Sequence, residues 1–185
     1  MREALIRLVA EGMAVHVPYK GVRTPLLSPA ELRDVYELRA LLEGFAVELA
    51  ARRITGAELA KMRELLPRAT IQESERSAAD AWEADREFHL IAVRACGRPH
   101  LTGLIEQILD LTNPYGVLGE RRSQEQLADA VQESGDHAQI LESLEASDGK
   151  LARELVVNHL HKSLDHLILL LGDSARERTA SRQVA

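Results

Sequence analysis

Between residues 32 and 49 the side chains Leu32, Val35, Tyr36, Leu38, Leu42, Phe45, Ala46 and Leu49 recur at steps of three and four, which lays an apolar stripe along a helix. Ser28-Pro29-Ala30-Glu31 stands before the stripe as a capping box with proline at the first helical position, so a long helix is predicted from here to about residue 54. A second box, Thr55-Gly56-Ala57-Glu58, opens another helix through Leu59, Met62 and Leu66. The same periodicity predicts helices over 78–96, 101–111, 116–131, 137–146 and 151–171, with Gly97, Pro99, Pro114, Gly135 and Gly149 as breaks. Short connections favour antiparallel neighbours, so residues 28–172 read as an all-α, antiparallel bundle of six to seven helices. From Asp173 the chain is polar and without period, and 173–185 is expected to be a disordered tail.

Ahead of the bundle, residues 2–11 read as a short helix closed by Gly12, followed by two extended pieces around the turn Pro18-Tyr19-Lys20-Gly21. A helix and a small hairpin cannot enclose a core, so residues 1–27 look like a fragment of another domain. Composition supports the helical reading: aromatics are only 3% of the 185 residues, and Leu, Ala, Glu and Arg, which lose least on entering a helix, are abundant. Charge divides the chain further. Residues 1–27 carry a balance of +2, which leaves -8 of the net -6 on the remainder, too acidic a body to hold nucleic acid by itself. The lone Cys96 excludes an internal disulfide, no signal pattern opens the chain, and the apolar run 164–171 is too short to span a bilayer. A cytoplasmic protein without membrane attachment is expected.

Asp85 and His89 stand four apart, on one face of a helix and one turn from each other. Alone, such a pair reads as a surface ion pair. His137 and His159 change that, because they lie on helices that adjoin in sequence and are expected to pack antiparallel. Three imidazoles and a carboxylate suit a divalent transition metal, zinc in the first place, with nickel and manganese as alternatives. The loaded site would carry a charge of about +1 and attract carboxylates. His16, His100 and His161 read as ordinary residues, His166 as a candidate pocket residue on the His159 stripe, and Cys96 as a small buried thiol. A metal-dependent hydrolytic enzyme is an alternative, but no HExxH pattern or assignable general base supports it. A purely structural metal is the other alternative.

Four segments carry a more specific signal: Glu37-Leu38-Arg39-Ala40-Leu41-Leu42-Glu43, Asp85-Arg86-Glu87-Phe88-His89, Asp136-His137-Ala138-Gln139-Ile140-Leu141, and Leu151-Ala152-Arg153-Glu154-Leu155 leading to Asn158-His159-Leu160. With them the sequence resembles the FadR-type subfamily of GntR transcriptional regulators, whose C-terminal effector-binding domain is the FCD domain. The resemblance implies a ligand-responsive regulator and not an enzyme. It assigns the metal to Asp85, His89, His137 and His159, and an effector carboxylate to Arg39, whose alternative partner is Glu43 four residues on. It further implies a homodimer, a small organic acid as effector, and operator DNA as the partner of the full-length protein. Residues 2–8 resemble the end of the recognition helix of a winged helix-turn-helix, with Arg2 in the place of a DNA-contacting arginine, and 14–24 resemble the wing. The helices that would support this recognition helix are absent from the sequence. An N-terminally truncated chain is therefore expected, with a gene start placed too late as one hypothesis for it, and specific DNA binding by this chain alone is not expected. Gly97-Arg98-Pro99-His100 departs from the family, which commonly has Asn for Arg98 and an apolar residue for His100.

Overall fold

A computed structural model describes residues 3, 5–6, 15–17, 21–23, 27–69, 78–112 and 124–183. Arg2, proposed to touch DNA, lies outside the described residues; Glu3, Leu5 and Ile6 behind it are helical. The hairpin expected in the head is present as β1 (Val15–Val17) and β2 (Gly21–Arg23), antiparallel, with His16 opposite Val22.

Among the described residues the body has six helices: α1 (Pro29–Ala50), α2 (Gly56–Ala69), α3 (Ala78–Ala95), α4 (Pro99–Thr112), α5 (Gln124–Glu145) and α6 (Gly149–Gln183). The fold is all-α, as expected. Both sequence-predicted capping boxes close. Ser28 Oγ accepts from Glu31 N at 3.3 Å while Glu31 Oε2 accepts from Ser28 N at 2.7 Å, and Thr55 and Glu58 repeat the exchange at the same distances. Each cap satisfies amides that a helix start leaves open, worth about 1 kcal/mol apiece.

α1 lies against α6, α3 and α4, while α2 bridges α3 and α5. The stripe facing inward buries Leu32, Tyr36, Met62, Phe88, Ile140 and Leu160 in one core, and a smaller cluster of Leu90, Val93, Cys96, Ile105 and Leu109 sits beneath α4. Cys96 is thus the buried thiol expected.

A tight corner sets α5 and α6 side by side. Ser147 adopts the left-handed conformation (φ 56°), Asp148 N reaches Ser143 O at 2.9 Å and Ser147 N reaches Leu144 O at 3.0 Å, so the last carbonyls of α5 are satisfied as in a Schellman motif. Asp148 Oδ1 then accepts from Leu151 N at 3.1 Å and caps α6. Gly149 permits the next contact, because a Cβ there would lie 2.5 Å from Glu48 O of α1. His137 stands ten residues before Ser147 and His159 twelve after it, about 15 and 18 Å of helix, so the two reach the same level of the bundle.

Two expectations need correction. Gly135 does not break the chain: α5 is one helix through it, where separate helices ending at 131 and starting at 137 were expected. The residue is exposed with open space around the missing side chain, and one such glycine costs a helix only about 1 kcal/mol, which the packed residues after it outweigh. The tail expected to be disordered from 173 instead continues α6 to Gln183. Ala, Arg, Glu and Gln dominate this stretch and proline is absent, so a helix already nucleated propagates without needing an apolar stripe. Smaller differences concern ends: α4 starts on Pro99 and α6 on Gly149, each two residues early. Among the described residues no helix is long and apolar enough to cross a membrane.

Candidate metal centre

α3 carries Asp85 and His89 on one face, α5 supplies His137, and α6 supplies His159 across the tight corner. Each of the four offers one ligand atom, and these atoms all lie within 4.8 Å of one another. His137 Nε2 is 3.0 Å from Asp85 Oδ1 and 3.4 Å from His89 Nε2, and His89 Nε2 is 3.9 Å from Asp85 Oδ1. A tetrahedral ion with bonds of about 2.1 Å sets its donors about 3.4 Å apart, so this grouping is of the right size.

The imidazoles are dry and the carboxylate is at the rim. His89, His137 and His159 are at most 3% exposed, against 29% for Asp85. The rings pack on each other, His89 over His159 with centroids 5.1 Å apart, and Phe88 sets its ring 4.8 Å from that of His137. Nδ1 of both His137 and His159 is buried without a hydrogen bond. Burial and the neighbouring His137 push the His159 imidazole down to about 4, so it is neutral and ready to donate a lone pair at ordinary pH. Burial acts to raise the Asp85 carboxyl, but His137, His89 and His159 outweigh it and hold Asp85 well below the usual carboxylate range.

Two further carboxylates stand behind the rings. Glu43 of α1 is wholly buried; its Oε1 accepts from Arg39 Nε at 2.7 Å and its Oε2 faces His89 Nδ1 at 3.2 Å. Oε2 has no partner beyond this approach. Burial raises the Glu43 carboxyl, yet Arg39 and His89 prevail and hold it at about 2. Burial likewise lowers Arg39, and Glu43 with Tyr36 more than restores it, the guanidinium lying 4.7 Å over the Tyr36 ring. Asp136 of α5 lies 3.9 Å from His159 Nδ1, too far for a hydrogen bond, and takes Lys162 Nζ on both oxygens at 2.9 Å. The facing His159 and Lys162 together keep its carboxyl low.

The structure therefore brings Asp85, His89, His137 and His159 together, and it places Arg39 on the alternative partner, Glu43. His166 is buried on α6 outside the group, while His100 and His161 are exposed. Asp136 was not singled out by the sequence, and Glu43 only as a partner of Arg39. The adjacency of Asp136 to His137 and the four-residue step from Arg39 to Glu43 were the available signals.

Residues 34–162 match the FCD domain. The chain belongs to the FCD domain family. It is 29% identical over 164 residues to the HTH-type transcriptional repressor GlaR of Escherichia coli K12, spanning 86% of this chain and 74% of GlaR. The fold superposes on that of E. coli McbR/YncC with a TM-score of 0.80 at 24% identity, over 90% of this chain and 82% of the other. The metal-free FCD domain of TM0439 matches over 80% of this chain and 99% of its own length, with a TM-score of 0.64 and 22% identity. The relatives that this FCD chain resembles, GlaR among them, are named as HTH-type transcriptional regulators.

Proposed function

We propose that this FCD bundle binds a divalent transition metal through Asp85, His89, His137 and His159, and with it a small organic acid that controls DNA binding. Zinc is the first candidate ion, with nickel and manganese as alternatives. The observation that carries this reading is the convergence of four donor groups from three helices within 4.8 Å. The donor set is that of a borderline-soft divalent ion. When bound, such an ion supplies a Lewis-acidic position for a carboxylate, while Arg39 at the α1 wall supplies the opposing guanidinium. Asp85, the ligand nearest solvent, marks the side from which an acid would enter.

The output of such a sensor is a shift between arrangements of a dimer on operator DNA, read by a winged domain to which residues 1–27 belong. An exposed apolar stripe supports the dimer: Leu38, Leu41 and Phe45 on α1 are 46–60% exposed, and Leu104 and Leu111 are exposed on α4, which packs beside α1. Mass spectrometry of the purified protein for metal, followed by melting curves with a panel of hydroxy, keto, sugar and dicarboxylic acids, tests the reading. Some acid should raise the melting temperature of the metal-loaded protein, and Arg39→Lys, which keeps a cation beside Glu43 but loses the forked donor, should abolish the rise. A loaded protein whose melting is the same with every acid would leave the metal structural and sink the sensor.

A further inference from the structure

We infer that Glu43 is a positioning residue of the metal centre, setting the His89 ring so that Nε2 is the nitrogen offered to the ion. The inference rests on the metal reading above. Glu43 is completely enclosed, and an ionised carboxylate in that position carries a desolvation cost that a purely structural role does not explain, since apolar residues of the same shape pack as well or better. Its two oxygens divide the work. Oε1 takes the Arg39 Nε–H at 2.7 Å, which supplies the counter-charge and keeps Glu43 an acceptor only. Oε2 faces His89 Nδ1 at 3.2 Å and has no other partner.

A carboxylate beside Nδ1 favours the tautomer with the proton on Nδ1, and that leaves the lone pair on Nε2. Nε2 is the atom that lies 3.4 Å from His137 Nε2 and 3.9 Å from Asp85 Oδ1. The ring is thus held at one nitrogen by α1 and turned at the other into the centre. The other two imidazoles lack this support: His137 Nδ1 has no hydrogen bond, and Asp136 stands 3.9 Å from His159 Nδ1 with both oxygens on Lys162. His89 is the ring whose tautomer is fixed from behind.

The test uses the full chain, zinc alone as the probe, and nitrogen-15 NMR of the histidine rings in metal-free protein. Glu43→Gln keeps the shape and Glu43→Ala removes the acceptor. Wild-type His89 should carry its proton on Nδ1. Glu43→Ala should mix the tautomers and weaken zinc binding by about ten- to a hundredfold, with Glu43→Gln in between. Should either variant fail to fold because Arg39 is left uncompensated, Arg39→Met with Glu43→Gln removes both charges and should show the same loss of affinity. Folded variants with wild-type tautomer and zinc affinity within twofold overturn the inference. A wild-type chain that binds no zinc overturns the metal reading instead, and its His89 tautomer, compared with that of Glu43→Ala, still decides whether Glu43 holds the ring.

Discussion

The two carboxylates behind the imidazoles are held in opposite ways. Glu43, on α1, is enclosed with its cation Arg39, which is only 4% exposed; Asp136, on α5, meets Lys162, whose side chain is 50% exposed. The first pair exchanges strong attraction in a poorly polarisable interior for a large desolvation cost, whereas water and salt screen the second. The α1 side of the centre is consequently rigid and intolerant, and the α5–α6 side depends on its helices and their corner for its geometry.

Arg39→Ala is the strongest way to break this contrast. It leaves the Glu43 carboxylate buried and uncompensated and should cost about 3–5 kcal/mol in urea unfolding. A loss below 1 kcal/mol would show that water reaches the α1 side as well. Acid should act next. In the unfolded chain His159 takes up a proton near its ordinary value of 6.5, but in the fold it stays neutral to about 4. The unfolded state therefore binds the proton first, and the metal-free protein should lose stability as pH falls from about 6.5 towards 4. Glu43, lowered from 4.5 to about 2, adds a second loss over that lower window. Urea midpoints at stepped pH report both, and a midpoint unchanged from pH 7 to 4.5 would contradict a dry histidine cluster.

Smaller effects sharpen the α5–α6 side. Gly135→Ala should stabilise the protein by about 0.5–1 kcal/mol, since the site is helical with open space around it. A destabilisation would mean that α5 needs a soft point just before Asp136 and His137. Lys162→Ala should cost less than about 1 kcal/mol and less still in high salt, as an exposed cation allows.

What could be read from the sequence follows the range of the forces involved. The boxes at Ser28 and Thr55 are closed by bonds within four residues, and both form as written in the chain. The Asp85 and His89 pair was visible for the same reason. His137 and His159 were joined to it by the expected antiparallel packing of adjoining helices and by the family resemblance, while the corner at Ser147 that sets those helices side by side is reported by no periodicity. Gly135 misled because a breaker's effect is judged locally while packing on either side of it decides the outcome. Glu43 was seen only as a neighbour of Arg39; its approach to His89 depends on how α1 lies against α3, a contact between residues far apart in sequence.

The spread of the four donors has a last consequence, in polymer terms. His89 and His137 are 48 residues apart, and His137 and His159 a further 22. An ion held by all of them closes two successive loops whose chain entropy, from the logarithm of their lengths, is on the order of 3 kcal/mol each. The centre would then act as a clip on the topology of the bundle, completed only when α3, α5 and α6 have already found their places.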